Sequence, residues 1–252
     1  MKLAMAQMLV EPGRKEANLA RAERCIAEAA AQRADVVVLP EALQLGWTHP
    51  SARTEADEIP EGESCLRLRR AAKEHGVMVC AGLIERASEK IFNAAVLIDS
   101  TGEVLIHHRK IHELEIAHDL YSHGDRLSVA ETKFGKIGVM ICADGFAPGQ
   151  SISRTLALMG AQIILSPCAW AVPADHDNVH EPYGQLWLDN YCPVARGFGV
   201  AIVGVSNVGP ITAGPWQGRK CIGNSLLIGV GGQELARGPY GEQAEALLVR
   251  DI

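Results

Sequence analysis

Three short stretches each end an apolar run on a side chain capable of proton transfer or nucleophilic attack. VVVLPE stops at Glu41, VLIHHRK at Lys110 and IGVMIC at Cys142. A free thiol has a pKa near ~8.5, so at neutral pH it needs a base or a neighbouring positive charge before it attacks. Glu41 can take that proton and later activate water, and Lys110 can favour the thiolate and face the oxyanion of a tetrahedral intermediate. The backbone N–H of Ala143, directly after the thiol, is a second oxyanion donor. Taken singly, Glu41 reads as a solvated loop acid, Lys110 as part of a basic edge and Cys142 as a small buried residue. As a set they suffice for acyl transfer through sulfur.

The surrounding patterns say what must position them. LAMAQM (3–8) reads as a strand, the Ala-rich run 15–32 as a helix, and ADVVVLP as a second strand stopped by Pro40. Strand, helix, strand implies a parallel pair with a right-handed crossover. A helix follows over 62–75, then a strand over 77–85 and a hairpin over 93–110 about Ser-Thr-Gly. Beyond a loop, KFGKIGVMIC is a strand ending at Cys142, 150–160 a helix, QIILS a strand, 183–197 a helix and GVAIVGVSN a buried strand. NSLLIGV and ALLVRDI form a closing pair, with GVGGQ at 229–233 as a hairpin turn. This order predicts an α/β fold with mixed strand pairing, organised as a single domain over 1–252 because no linker or compositional break appears. In such sheets reacting groups gather just beyond the carboxyl ends of strands.

Composition narrows the partners. The 252 residues are 48% hydrophobic and carry a net charge of -6, which offers no basic field to a nucleic acid or an anionic membrane. A small molecule is the expected partner. No apolar run approaches the roughly 20 residues of a membrane span, and MKLAMAQMLVEPG reads as a strand and turn rather than a signal peptide. Seven cysteines, odd in number and scattered without a CxxC pair, read as free thiols, so a cytoplasmic location is expected. Histidines 107, 108, 112, 118 and 123 raise the possibility of a metal hydrolase. There is no HExxH, and the spacings do not repeat on one helical face, so they are read as surface histidines and no metal is expected. Neither a GxSxG nor a strand, GxGxxG, helix order occurs.

VVVLPEALQLGW, HHRKIHEL and GVMICADGF, in that order, resemble the glutamate, lysine and cysteine motifs of the nitrilase, or carbon–nitrogen hydrolase, superfamily. The likeness runs from LAMAQM to GNSLLIGVGGQELAR, essentially the whole chain. It implies a four-layer α-β-β-α sandwich with two mixed sheets, assembly as a homodimer or larger homo-oligomer through helices near 151–160, and neither metal nor organic cofactor. It also implies hydrolysis of non-peptide carbon–nitrogen bonds through a thioester, with Glu41 as base, Lys110 as charge stabiliser and Cys142 as nucleophile. Ala143 departs from the aromatic residue common after the cysteine, and CADGFAP lacks the arginine that commonly follows. A second glutamate that helps hold the substrate amide is sought in HELEIAHDL, where Glu113 and Glu115 are available and Glu115 is chosen. By the same likeness SPCAWAVPADHDN lines the pocket, with Trp170 as an aromatic wall and Cys168 as a side-chain contact, while Trp187 is assigned to core packing. The expected substrate is a small amide or N-carbamoyl amine. The alternatives are a nitrile attacked by the same triad, or a non-catalytic subunit that keeps the fold.

Overall fold

A computed structural model describes residues 1–252. The first half of the chain forms β1 (Lys2–Gln7), α1 (Lys15–Ala31), β2 (Val36–Val38), α2 (Ala52–Glu55), α3 (Glu63–His75), β3 (Met78–Ala87), β4 (Lys90–Ile98) and β5 (Val104–Arg109). The second half forms β6 (Val129–Thr132), β7 (Gly135–Val139), α4 (Ser151–Leu158), β8 (Ile163–Cys168), β9 (Ala171–Val172), α5 (Gln185–Phe198) and β10 (Ala201–Ser206). It continues through β11 (Val208–Pro210), β12 (Lys220–Ile222), β13 (Leu226–Ile228), β14 (Glu234–Arg237) and β15 (Ala246–Asp251).

Two six-stranded sheets result, ordered β15-β1-β2-β3-β4-β5 and β14-β13-β10-β8-β7-β6, with a small third sheet β11-β12-β9. Each large sheet has a parallel centre, β1-β2-β3 in one and β7-β8-β10 in the other, flanked by antiparallel strands. The expected closing pair does not exist. NSLLIGV supplies β13, which pairs with β10 and β14, whereas ALLVRDI supplies β15, which lies antiparallel to β1 in the other sheet. Two apolar strands with only β14 between them carry no local signal of which sheet each will complete. The turn at 229–233 does join β13 to β14, closed by Gly229 N–H donating to the Gln233 carbonyl at 2.9 Å.

Alternation of side chains along the strands builds the layers. Leu3, Met5, Val36, Val38 and Cys80 point from the first sheet towards Val139, Ile141, Leu165, Val203 and Val205 of the second, forming the core between the sheets. Ala4, Ala6, Val37, Val79 and Ala81 point the other way, onto Leu19, Ala22 and Ile26 of α1 and Leu68 and Ala72 of α3. Ile164, Ile202 and Leu226 likewise face Leu156 of α4 and Tyr191, Val194 and Ala195 of α5. These contacts define the four-layer α-β-β-α sandwich with two mixed sheets. Truncating one of its fully buried aliphatic side chains to Ala costs about 2–5 kcal/mol. No helix is long and apolar enough to cross a membrane.

One glycine decides how closely a site-bearing turn sits on the first sheet. A Cβ on Gly82 in β3 would lie 2.5 Å from Glu41 Cα and 2.8 Å from the Pro40 carbonyl oxygen. The turn after β2 therefore rests on bare backbone. Gly82→Ala is expected to displace Glu41, lowering both Tm and any Glu41-dependent activity, the latter by about 10²-fold if the shift approaches 1 Å. Thermal melts and rates on the purified variant check this.

Candidate active site

Strand ends from both sheets converge on one cavity of about 210 Å³. Its wall includes Glu41, beyond β2, Lys110, directly after β5, and Cys142, three residues past the end of β7. The expected strand thus stops short of the thiol, which instead opens a short 3-10 turn over Cys142–Phe146. Backbone bonding joins the sheets here, since Glu41 N–H donates to the carbonyl of Cys168 at the end of β8 at 3.1 Å.

Glu41 and Lys110 are each 1% exposed. Lys110 Nζ donates to Glu41 Oε1 at 2.8 Å, and Asn93 Nδ2 donates to the same oxygen at 2.6 Å. Both donors fall on Oε1, and no protein donor reaches Oε2. Asn93 also accepts the Lys110 backbone N–H through its carbonyl at 2.8 Å, so one β4 residue positions both charged groups. Arg109 anchors the end of β5 by two bonds to the buried Glu85, each 2.7 Å, while its guanidinium stacks on Phe92.

The second carboxylate near Lys110 is Glu113, not Glu115. Glu113 is buried, with Oε2 3.5 Å from Lys110 Nζ, whereas Glu115 lies exposed on the 3-10 turn Glu115–Ala117. That turn carries Glu115 away from the cavity, and two residues of spacing in an irregular loop give no period from which to read this. Burial pushes the Glu113 carboxyl up to about 7, with the Lys110 charge only partly opposing and the Glu41 charge adding to the rise. For Lys110 burial alone would favour the neutral amine, but the charges of Glu113 and Glu41 overcome it and hold the ammonium well above its usual range.

Cys142 sits in the left-handed region, at φ 44°. An L-residue there costs on the order of 1–2 kcal/mol, which neighbouring bonds must offset. Asp144 supplies them: Oδ2 accepts the Ile141 N–H at 2.9 Å and His108 Nε2 at 2.8 Å, and Oδ1 accepts the N–H groups of Ile111 at 3.1 Å and His112 at 2.8 Å. A single fully buried carboxylate therefore ties the loop carrying the thiol to the loop carrying Lys110. Burial would raise Asp144, yet the bonds from His108, His112 and Ile141 hold it below the usual carboxylate range. The Cys142 N–H is itself committed to Ser166 Oγ at 3.2 Å. Burial, then the adjoining Cys168 and the charge of Glu41, push the Cys142 thiol well above its ordinary value, and Lys110 offsets this only in part. This direction favours the thiol over the thiolate at neutral pH.

Of the remaining expected residues, Ala143 and Trp170 line the cavity. Cys168 does not: at the end of β8 its side chain turns to the α5 side of the sheet and is fully buried, its Sγ 3.2 Å from the Ser166 carbonyl oxygen. Trp187, assigned to the core, lines the cavity and stacks on Trp170 with centroids 4.6 Å apart. Trp47 and Trp216, from loops with no periodicity to flag them, complete the wall with Leu114, Phe146, Ala169, Ala171, Tyr183 and Leu186. Asn93 was detectable in principle as the one polar residue inside the apolar run IFNAAVLI. The histidines disperse, and His108 is buried rather than at the surface because Asp144 needs its donor. His107 bonds Glu85, and no group of three or more His, Cys, Asp and Glu side chains converges as a metal-ligand set.

The model of the Carbon-nitrogen hydrolase family matches residues 2–252, and the chain belongs to that family. Among curated relatives, the nitrilase of Pyrococcus abyssi is 33% identical over 230 residues, covering 90% of this chain and 80% of its own. An omega-amidase of Xenopus tropicalis is 36% identical over 180 residues, covering 67% of this chain and 63% of its own. The fold matches a mutant of the Nesterenkonia AN1 amidase from the nitrilase superfamily with a TM-score of 0.83 at 23% identity, over 100% of this chain and 90% of that one.

The raised Glu113 carboxyl has a consequence for stability. Between its ordinary value of 4.5 and its folded value of about 7, the folded state binds more protons than the unfolded chain, so stability is full below 4.5 and falls as pH rises through 7. The fall amounts to on the order of 3 kcal/mol. Glu113→Gln keeps the shape and removes the titration. Its Tm relative to wild type is expected to rise between pH 4 and pH 8, which paired thermal melts measure.

Proposed function

We propose that the protein hydrolyses amides through a Cys142 thioester, with Glu41, Lys110 and Glu113 as its other working groups. The observation that carries this reading is the free Glu41 Oε2: its partner oxygen holds Lys110 and Asn93, leaving one carboxylate oxygen free to take a proton on the cavity wall that Glu41 shares with the Cys142 thiol. Glu41 takes the Sγ proton as sulfur bonds the amide carbon. The oxyanion so formed faces Lys110 and the Ala143 N–H. Collapse breaks the carbon–nitrogen bond, and Glu41 hands its proton to the departing ammonia or amine. Water then loses a proton to Glu41, attacks the thioester, and releases the acid while sulfur recovers its hydrogen. Glu113, in place of the expected Glu115, stands behind the wall 3.5 Å from Lys110 Nζ, where it helps to keep the ammonium charged and in position. No step calls on a metal or an organic cofactor, and an N-carbamoyl amine fits the same sequence of steps.

Cys142→Ala is expected to abolish turnover with the fold retained, and Glu41→Gln to lower kcat by about 10²- to 10⁴-fold because the amide cannot accept the proton. Activity is expected to persist after exhaustive EDTA treatment. Near-wild-type rates in either variant, or zinc-restored activity, would break the assignment. Turnover confined to nitriles, giving acid without free amide, favours the nitrile reading instead.

We also propose a homodimer, with α4 and the end of α5 in the interface. Leu158, 75% exposed at the end of α4, is followed by exposed Met159, and exposed Phe198 at the end of α5 lies beneath Arg154 of α4. Sedimentation at micromolar concentration is expected to give a dimer, and Leu158→Glu to shift it towards monomer.

A further inference from the structure

We infer that the cavity selects amides whose acyl group is neutral, apolar and about the size of one aromatic ring, and rejects acyl groups that carry a carboxylate. This rests on the amidase reading above and concerns what that site accepts.

Aromatic residues make up only 5% of the chain, and it has four tryptophans. All four, Trp47, Trp170, Trp187 and Trp216, line this one cavity, although they come from four separate segments. Core packing alone does not require that convergence. Trp170 and Trp187 stack, while Trp216 meets Trp47 at 4.9 Å with the planes tilted by 60°, so the walls present both faces and edges of indoles. Such surfaces favour flat or branched apolar groups. The volume of about 210 Å³ sets the scale, since a dry apolar cavity of about 150 Å³ takes benzene.

Charge decides against a carboxylate. Glu41 and Lys110 are the only charged residues on the wall, and Lys110 is already engaged by Glu41 and Glu113. A second carboxylate would leave water and meet a further carboxylate rather than a free cation. The two arginines nearest to suitability do not supply one. Arg196 is exposed and bonds the Gly231 carbonyl, and Arg219 stacks on Trp216, 4.4 Å from its centroid, without joining the wall. Indole faces also attract cations. Here, however, the Lys110 ammonium lies 5.9 Å from the Trp47 ring and already occupies that role.

Ammonia release by the purified wild-type protein from acetamide, phenylacetamide, succinamate and the amide of trimethylammonioacetate tests the inference. Phenylacetamide is expected to exceed succinamate in kcat/KM by about 10²-fold or more, on the scale by which an apolar pocket separates substrates. Trp216→Ala is expected to narrow the phenylacetamide-to-acetamide ratio about tenfold. In Cys142→Ala, phenylacetamide is expected to perturb tryptophan fluorescence at concentrations where succinamate does not. Preference for succinamate, abolished by Arg219→Ala, would overturn the inference and leave amide hydrolysis standing, as would preference for the cationic amide. Failure of every amide to release ammonia or to leave an acyl group on Cys142 would overturn both.

Discussion

A lysine ammonium and a glutamate carboxylate, both almost wholly buried and 2.8 Å apart, form the constraint around which the site is built. Neither charge is tolerable alone in that interior, where each loses several kcal/mol of hydration that only close pairing and further hydrogen bonds return. Asn93 supplies one such bond, and the Glu113 carboxyl, 3.5 Å from the ammonium, is a further partner. The pair spans the first sheet, from the end of β2 to the end of β5, so the strand order between them must be correct before either charge is compensated. Removing one partner leaves the other stranded, at a cost of about 3–5 kcal/mol.

Asp144 extends this order across the sandwich. Its four bonds hold the left-handed turn at Cys142 and the start of the loop after Lys110 in a single frame. Packing between the sheets through Ile141 and Leu165 brings these loops near each other, but apolar contact does not fix orientation to the fraction of an ångström that acyl transfer requires. Hydrogen bonds to one buried acid do. The same acid explains a histidine deep in the structure, since His108 meets the remaining lone pair of Oδ2.

Much of this was legible in the residues alone, and what was not has a common cause. Glu41, Lys110 and Cys142 each lie one to three residues beyond a strand, and such ends are visible in a sequence because period and composition change there together. The four-layer architecture came from family likeness, as spacing alone does not say that β13 and β15 belong to different sheets. Glu113 and Glu115 differ only by where a 3-10 turn begins. Cys168 was misplaced because alternation along β8 turns its side chain behind the sheet, and Trp187 because a buried indole on an amphipathic helix reads the same whether it faces core or cavity. Trp47 and Trp216 lie in loops whose course is set by long-range contacts, such as the Thr48 N–H donating to the Tyr121 hydroxyl and the meeting of the two indoles themselves.

The protonated resting state of Cys142 also bears on oxidative damage. Peroxides attack the thiolate and the ladder from sulfenic to sulfonic acid begins there, so a sulfur that keeps its hydrogen until a base removes it is a poor target between turnovers. Glu41 withdraws that hydrogen productively only when a carbonyl carbon stands ready to receive the electron pair. The surroundings that make the thiol a sluggish acid thus also slow its oxidation, because the electron pair a peroxide would attack is released only as the carbonyl carbon takes it up.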